Sequence, residues 1–343
     1  MVGAAAAAGA GAAGAGGDPL PSWNDGATKH AILDFVAAVT EPASPDFLPV
    51  PERVAVFDND GTLWVEQPYY TQMAFALDRA ASLAPAHPEW ADHPGLSAAL
   101  ARDMPALAAV GVKGLSDVVC ATHAHVTTDA FEAEVRSWIA TAVHPRFGRR
   151  YNELVYQPML ELLAHLRAAG FANYIVSGGG VEFVRPWAEA AYGIPPERVI
   201  GSWVEARYEP AGGDGGGPVL VRAPKVGLYN DGPAKPAAIN LHIGRRPVLA
   251  AGNSDGDYEM IEWTTAAPPA GAASAPAGGR RLGLLVHHTD AKREFAYDKD
   301  TAAGRLVRGL ADAGGKGWVL ADMARDWRVV FPFELEGGGG GSA

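Results

Sequence analysis

The chain has 343 residues, of which 48% are hydrophobic, and its formal net charge is −11. This composition supplies enough apolar surface for a folded core and excludes a wholly disordered chain. The negative charge argues against a nucleic-acid binder, because a phosphate backbone would be repelled. Cys120 is the only cysteine, so no intramolecular disulfide forms, and no apolar run is long enough to span a bilayer.

Composition also divides the chain. The Ala/Gly-rich residues 1–22 are predicted to be a disordered tail or a degenerate leader, and residues 337–343 a flexible tail. Between them, segments 23–67 and 151–336 alternate strand and helix patterns, whereas residues 68–150 read as a helical insertion. The sequence leaves the oligomeric state open. It also leaves open a cytoplasmic location or, if residues 1–22 act as a leader, export to the periplasm.

The chain before the insertion is predicted to form a helix and then a buried strand. Apolar residues recur at helical spacing from Thr28 to Val39. Val54 to Phe57 is an unbroken apolar run, which is typical of a strand buried on both faces of a parallel sheet. Asp58, Asp60 and Thr62 follow at the carboxyl end of this strand, where ligands bind in open α/β sheets. Two carboxylates and a hydroxyl suit a hard cation such as Mg²⁺ and a phosphate.

The insertion shows three apolar stripes at helical spacing and no strand-like alternation. They begin at Tyr70, Leu115 and Phe131, and Thr128 is the predicted N-cap of the last helix.

Beyond the insertion, strands and helices alternate. Gly170 is expected to end a helix over Tyr156 to Ala169, and Phe171 to Ser177 is a second buried strand. Gly178, Gly179 and Gly180 then predict a turn before a helix, an arrangement that presents backbone N–H groups to an anion. The remaining predictions are a hairpin over Val199 to Arg222 around the loop Gly212–Gly217, a helix over Pro236 to Ile243, a strand over Pro247 to Ala251, a surface loop, and strands over Leu282 to Val286 and Trp318 to Ala321.

The alternation predicts an α/β fold, with a mostly parallel, Rossmann-like sheet and helices on both faces. Polar residues follow three of its strands: Asp58 and Asp60, Ser177, and the acidic turn Asn253–Asp257. Lys235 precedes the third strand by one helix. This set suits phosphoryl transfer, in which one carboxylate attacks phosphorus, a second acid moves the proton, and the other groups neutralise phosphoryl oxygens.

These motifs, in this order, resemble those of the haloacid dehalogenase superfamily of hydrolases, in its phosphoserine-phosphatase-like branch. The resemblance covers about Val54 to Trp263. It implies an aspartyl-phosphate mechanism with Asp58 as nucleophile and Asp60 as general acid/base. It assigns Ser177, Gly178 and Lys235, with Thr62, to phosphate binding, and Asp58, Asp60, Asn253 and Asp257 to Mg²⁺. It also implies a small phosphorylated substrate and makes residues 68–150 a helical cap.

Two positions depart from the family pattern. Asn253 stands where the family usually has an acid, so Asp255 or Asp257 is a candidate to supply the missing charge. Gln67 stands where phosphoserine phosphatases carry a Glu that holds the substrate's amino group. Trp64, Glu66, Gln67 and Tyr69 link the nucleophile loop to the insertion and are the predicted substrate-facing residues.

The sequence leaves other functions open. One is a non-catalytic protein that binds a phosphorylated ligand or regulates a partner, for which Asn253 is the best support. A dehalogenase does not need the second acid, so Asp60 argues against it. A phosphonate hydrolase needs a cap lysine, for which Lys113 is the only candidate. His123 and His125 alternate on one helix and are not expected to bind one metal, and the role of His287 and His288 is open.

Overall fold

The computed structural model of the chain describes residues 17–210, 216–267 and 279–336. Seven strands form one sheet in the order β4-β3-β2-β1-β5-β6-β7. They are β1 (Val54–Phe57), β2 (Ala172–Gly180), β3 (Val199–Glu209), β4 (Val219–Leu228), β5 (Leu249–Gly252), β6 (Leu282–His287) and β7 (Val319–Asp322). Neighbouring strands run parallel except β3 and β4, which form an antiparallel hairpin at one edge. The predicted α/β class and mostly parallel sheet are confirmed.

Helices cover both faces of this sheet, as predicted. The helices are α1 (Ala27–Thr40), α2 (Thr71–Leu83), α3 (Pro94–Ala101), α4 (Met104–Ala109), α5 (Gly111–His123), α6 (Thr128–Ile139), α7 (Gln157–Ala168), α8 (Val181–Tyr192), α9 (Ala234–Ile243), α10 (Tyr258–Thr265), α11 (Arg308–Lys316), α12 (Met323–Asp326) and α13 (Phe333–Glu336). Alternate side chains of β1 point to opposite faces. Ala55 and Phe57 pack with α1, α7 and α8, whereas Val54 and Val56 pack with α9, α10 and α11.

Helices α2 to α6 lie between β1 and α7. The first four bury a hydrophobic cluster of their own, which includes Leu77, Leu96, Leu107 and Val118. Helix α6 instead buries Phe131 and Val135 in the large cluster shared with α8. The N-cap of α6 is Thr127, whose hydroxyl accepts a hydrogen bond from the Ala130 N–H at 3.1 Å, so the predicted cap at Thr128 was wrong by one residue.

Three sequence predictions on the sheet side need correction or fall outside the described residues. Strand β2 continues to Gly180, which pairs with Ser202 of β3, so the three glycines end a strand rather than form a turn. Helix α9 begins at Ala234, which places Lys235 in its first turn. Most of the Gly212–Gly217 loop and most of the predicted surface loop before β6 lie outside the described residues.

The predicted N-terminal tail extends too far. Residues 1–16 lie outside the described residues, but Leu20 is fully buried and the Ser22 N–H donates to Glu161 at 2.8 Å. Trp23 packs edge-on against Trp327, with ring centroids 5.8 Å apart. Residues 337–343 are also outside the described residues. Among the helices that the structure describes, none has the length and apolar character needed to cross a membrane.

Candidate active site

A cavity of about 530 Å³ opens beyond the carboxyl ends of the central strands. Its floor comprises Asp58 and Asp60 after β1, Gly178 to Gly180 in β2, Lys235 in α9 and Ser254 after β5. Its opposite wall is built by α2, α5 and the β3–β4 hairpin. The volume lies in the range of small-molecule sites.

Lys235 is the hub of the floor. Its Nζ donates to Asp58 Oδ1 and Asp257 Oδ1, each at 2.6 Å, and to the Val176 carbonyl at 2.9 Å. The side chains of Lys235, Asp58 and Asp257 are all at least nine-tenths buried. Burial alone would lower the pKa of Lys235, but the carboxylates of Asp257 and Asp58 outweigh it and raise that pKa. The ammonium therefore stays charged and fixes one oxygen of Asp58.

Asp58 keeps its second oxygen largely free. The shortest hydrogen bond to Oδ2 comes from the Thr62 hydroxyl at 3.4 Å, which is long for a bond between oxygens. Burial and the nearby charge of Asp257 raise the pKa of Asp58, and Lys235 opposes that shift. Thr62 Oγ1 also lies 3.2 Å from Asn253 Oδ1, which competes with Asp58 for the single hydroxyl hydrogen. Thr62 is fully buried and does not line the cavity, so it supports Asp58 rather than facing a phosphate as predicted.

Asp60 is held by groups from the loop after β1 and from β2. The Trp64 indole N–H donates to Asp60 Oδ1 at 3.0 Å, and the Ser177 hydroxyl lies 3.5 Å from Oδ2. Trp64 in turn stacks on Trp187 of α8, with ring centroids 4.3 Å apart. Burial raises the pKa of Asp60, and the hydrogen bond from Trp64 partly opposes this. A carboxyl group with a raised pKa is suited to giving up a proton near neutral pH.

The acidic turn after β5 closes on itself. Asp257 Oδ2 accepts the backbone N–H of Asn253 at 3.0 Å and of Ser254 at 3.1 Å, while Oδ1 accepts Lys235. Asp257 is therefore committed to the turn and the lysine, and it does not line the cavity. Asp255 accepts backbone N–H groups at the start of α11, so it does not supply the charge missing at Asn253.

Glu66 supplies a carboxylate beside Asn253. Glu66 Oε1 accepts the Asn253 amide at 2.6 Å and the Tyr297 hydroxyl at 2.8 Å. Burial raises the pKa of Glu66 well above its ordinary value, and the charges of Asp60 and Asp58 add to this. Gly304, at φ +71°, packs so closely on Glu66 Oε1 that a Cβ would overlap it. The Glu66 carboxylate thus lies beside Asn253, the position at which this chain has an amide instead of the family's usual acid.

Three of the four predicted substrate-facing residues lie outside the cavity lining. Gln67 donates to the Ala303 carbonyl at 2.9 Å, Tyr69 packs in the hydrophobic clusters, and Trp64 lies behind Asp60. Glu66 does line the cavity, and so do Tyr70 and Gln72, which sequence reasoning missed. Lys113 is exposed and pairs with Asp117 at 3.0 Å, so it does not provide the lysine that phosphonate hydrolysis needs.

The structure also brings residues to the site that no motif marked. Gln72 Oε1 accepts the Gly180 N–H at 2.6 Å, and Gly179 N–H donates to Ser177 Oγ at 2.9 Å, so the three-glycine segment is fixed from both sides. His123 and Arg222 line the wall. The sequence pointed to neither role, since His123 was noted only with His125 and Arg222 only as the end of the predicted hairpin.

His288 supports the nucleophile loop from behind. Its Nε2 lies 2.7 Å from the Gly61 carbonyl and its Nδ1 lies 3.1 Å from Glu294 Oε2, with His288 and Glu294 both buried. His287 instead pairs with Asp298 at 3.5 Å. Neither histidine lines the cavity. We therefore assign His288 a structural role behind the nucleophile loop.

The floor fits a hard cation by donor type and charge. Asp58, Asp60 and Glu66 all line the cavity, and with Asp257 they set four carboxyl groups against the single ammonium of Lys235. Their oxygens, and that of Asn253, are the ligands that Mg²⁺ prefers. Within the described parts of the chain, no three histidine, cysteine, aspartate or glutamate side chains are already arranged as a metal site.

Comparison with solved structures gives similar chains at low identity. A protein of unknown function from Bordetella pertussis Tohama I is 15% identical, with 79% of this chain and 99% of that chain covered and a TM-score of 0.48. A phosphoserine phosphohydrolase-like protein from Francisella tularensis is 17% identical (77% and 98% covered, TM-score 0.38). A probable phosphoserine phosphatase from Vibrio cholerae is 15% identical (71% and 58% covered, TM-score 0.36).

Among curated proteins, none matches the sequence significantly. The model of haloacid dehalogenase-like hydrolases matches residues 55–262, which extend from β1 into α10 and include both aspartates, Ser177, Lys235 and the acidic turn. The match covers more than half of the chain and agrees with the resemblance found in the motifs. The chain therefore belongs to the haloacid dehalogenase-like hydrolase family.

Proposed function

We propose that this protein is a Mg²⁺-dependent phosphatase that hydrolyses a small phosphomonoester through an aspartyl-phosphate on Asp58. The observation that carries the proposal is the unequal hydrogen bonding of the two Asp58 carboxylate oxygens. Lys235 holds Oδ1 at 2.6 Å, while Oδ2 has only a long contact with Thr62 at 3.4 Å. One oxygen is thus anchored and the other is available to attack, at the floor of a cavity of about 530 Å³.

In the first half of the reaction, Asp58 Oδ2 forms a bond to phosphorus and the ester oxygen leaves. Asp60 gives that oxygen its proton, for which the raised pKa suits it. In the second half, the Asp60 carboxylate takes a proton from water as the water oxygen attacks phosphorus. The bond between phosphorus and Asp58 breaks, which releases inorganic phosphate and restores both carboxyl groups.

The phosphoryl oxygens need positive charge and hydrogen-bond donors. Lys235 supplies an ammonium on the floor, where the backbone of Gly178 also lies, and the buried Ser177 hydroxyl lies just behind it, 3.5 Å from Asp60 Oδ2. Asp58, the Asp60 carbonyl and Asn253, with Glu66 adding charge, would hold Mg²⁺. When bound there, Mg²⁺ supplies further positive charge against the phosphoryl oxygens.

The proposal includes a division of labour along the chain. Residues 23–67 and 151–336 form the catalytic core, and residues 68–150 form a cap that limits which leaving groups reach the floor. Support comes from the separate hydrophobic cluster of α2 to α5 and from the cavity residues that α2 and α5 contribute.

The test uses a generic aryl phosphate with and without Mg²⁺, for the parent, Asp58→Asn and Asp60→Asn. We expect Asp58→Asn to abolish turnover and Asp60→Asn to lower it by roughly 10²–10⁴-fold, the usual contribution of a positioned proton donor. Acid quench during turnover should trap a phosphoryl adduct on Asp58 in the parent, which peptide mass analysis locates. Asp34→Asn, the same change on the exposed face of α1, is the matched control. Parent-like turnover in a folded Asp58→Asn protein would refute the mechanism, and a phospholigand that binds without turnover in the parent would favour a binding role.

A further inference from the structure

Much of the wall that faces the two aspartates is an apolar surface. It is formed by Met73 and Ala76 of α2, Leu115 and Val119 of α5, Phe183 of α8 and Val226 of β4. At the outer end of this surface lies the half-exposed ring of Trp203. The ring packs so closely on Gly227 that a Cβ atom at position 227 would overlap the ring. An apolar surface of this extent adds binding energy only for a leaving group that covers it with apolar atoms.

The charged groups on this wall are neutralised within the protein. Arg222 is buried, its Nε donates to the His123 carbonyl at 2.7 Å, and its Nη1 lies 3.0 Å from Glu182 Oε2. Its guanidinium also lies over the Phe131 ring, 4.1 Å from the centroid. Asp231, the remaining charged residue of the lining outside the acid cluster, packs beside Gly256 on the floor side. Among the described lining residues outside the acid cluster and Lys235, the charged side chains other than the exposed Asp231 are paired with each other.

Two polar side chains of the wall, Gln72 and His123, are also engaged in hydrogen bonds. Gln72 Oε1 accepts Gly180 N–H, and its Nε2 lies 3.3 Å from His123 Nε2. The other nitrogen of His123 lies 2.7 Å from the Thr122 hydroxyl. A charged amino-acid or sugar-acid leaving group would therefore lose its hydration on this wall without gaining partners.

We propose that the substrates are monophosphate esters of neutral, mainly apolar alcohols, with the alkyl or aryl group lying against α2, α5 and Val226. This substrate class rests on the proposed phosphatase function and adds to it the nature of the leaving group. Amino-acid phosphates and polyol phosphates are disfavoured, because their charged or hydroxyl-rich groups face apolar side chains.

The first experiment measures kcat/KM for a series of n-alkyl monophosphates from methyl to octyl, with O-phosphoserine and glycerol phosphate for comparison. The alcohols of the longer alkyl esters differ little in acidity, so their differences report contact with the wall. We expect kcat/KM to rise by about fourfold for each methylene that enters the cavity, in line with the transfer of a methylene from water, and then to level off. A flat series, or O-phosphoserine equal to the hexyl ester, overturns the substrate class.

A substitution on the apolar wall tests whether the alkyl group of the substrate lies there. Val119→Thr keeps the side-chain shape and places a hydroxyl on the wall, so we expect the rise per methylene to become shallower. Val143→Thr, the same change at an exposed position, is the control and should leave the rise unchanged. An unchanged rise in both variants contradicts the assignment of the alkyl group to this wall.

Direct binding separates this inference from the proposed chemistry. Calorimetry on Asp58→Asn compares methyl and hexyl phosphate without turnover. Tighter binding of the hexyl ester by at least tenfold, with a more negative heat-capacity change, supports the apolar site even if no ester is hydrolysed. Equal binding of the two esters overturns it, even if the parent hydrolyses aryl phosphates.

Discussion

The floor and the wall of the cavity hold their side chains in different ways. On the floor, Lys235 joins the carboxyl groups of Asp58 and Asp257 through hydrogen bonds of 2.6 Å. On the wall, Leu115 and Val119 of α5 are half-buried side chains whose contacts are non-directional. A substitution on the floor leaves a buried charge without its partner, so we expect floor positions to tolerate few changes. On the wall, apolar side chains can be exchanged for others of similar volume with a small loss in the free energy of unfolding.

Lys235→Met tests the floor most severely. Removing the ammonium leaves Asp58 and Asp257 buried without their counter-ion, so we expect a loss of about 3–5 kcal/mol in the free energy of unfolding, as for other broken buried ion pairs. Urea denaturation measures it. Lys225→Met removes an exposed ion pair with Glu205 and should cost under about 0.5 kcal/mol. Similar stability losses for the two variants would contradict the distinction between a fixed floor and an ordinary surface.

Asn253→Asp and Glu66→Gln test whether Glu66 replaces the missing acid. Asn253→Asp alone sets two carboxylates at the 2.6 Å contact now made by an amide, and we expect it to cost about 1–3 kcal/mol without Mg²⁺. The double variant restores an amide-to-carboxylate hydrogen bond with the charges exchanged, and it should recover most of that stability.

Calorimetric Mg²⁺ titration completes this cycle. We expect the double variant to bind Mg²⁺ more like the parent than Glu66→Gln does, because it has the same number of carboxylates. If the two substitutions prove additive in stability and in Mg²⁺ affinity, Glu66 and Asn253 do not act as a pair.

Trp64→Phe tests the support of Asp60 from behind. The variant keeps an aromatic ring against Trp187 but removes the 3.0 Å hydrogen bond to Asp60 Oδ1. We expect kcat to fall by roughly tenfold while KM changes little, because the proton donor is less well positioned and the cavity wall is intact. Steady-state kinetics measures the two parameters separately. A rise in KM alone, with kcat unchanged, would show that Trp64 acts on substrate binding instead.

Trp203→Leu is the mildest change, at the outer end of the wall. The ring is 39% exposed, so we expect thermal unfolding to shift little, with a cost under about 1 kcal/mol. For hexyl phosphate, kcat/KM should fall by about threefold through lost apolar contact, while methyl phosphate changes less. A larger effect on methyl than on hexyl phosphate would place Trp203 near the phosphate end rather than at the mouth.

The sequence was informative where chemistry depends on a strand end. The unbroken apolar run Val54–Phe57 predicted that β1 is buried in the sheet. Asp58 and Asp60, which follow it, were therefore expected at the carboxyl edge of the sheet. The same reasoning placed the acidic turn after β5, whereas β2 continues three residues past Ser177 to Gly180. It failed further from the strand, at Gln67: Glu66 and Gln67 were both predicted to face substrate, but neighbouring side chains of an extended segment point opposite ways, and only Glu66 lines the cavity.

Tertiary packing also explains what the sequence did not show on the wall. Arg222 meets His123 because β4 pairs with β3 and lies beside the end of α5, with the His125 N–H bonded to the Arg222 carbonyl at 2.8 Å. Gln72 meets Gly180 only once α2 lies over β2. Neither contact can be predicted from the local sequence, because each joins segments that are remote from one another in the chain.

The position of β1 in the sheet has a consequence for how the chain acquires its structure. Ala55 pairs with Asn173 of β2 on one side and with Leu249 of β5 on the other. During synthesis, the strand that carries the aspartates must therefore remain unpaired on one edge until residues near 249 have left the ribosome. Such late, non-local pairing slows folding and prolongs exposure of an apolar strand. We expect nascent chains shorter than about 250 residues to bind chaperones and to lack a closed active-site floor.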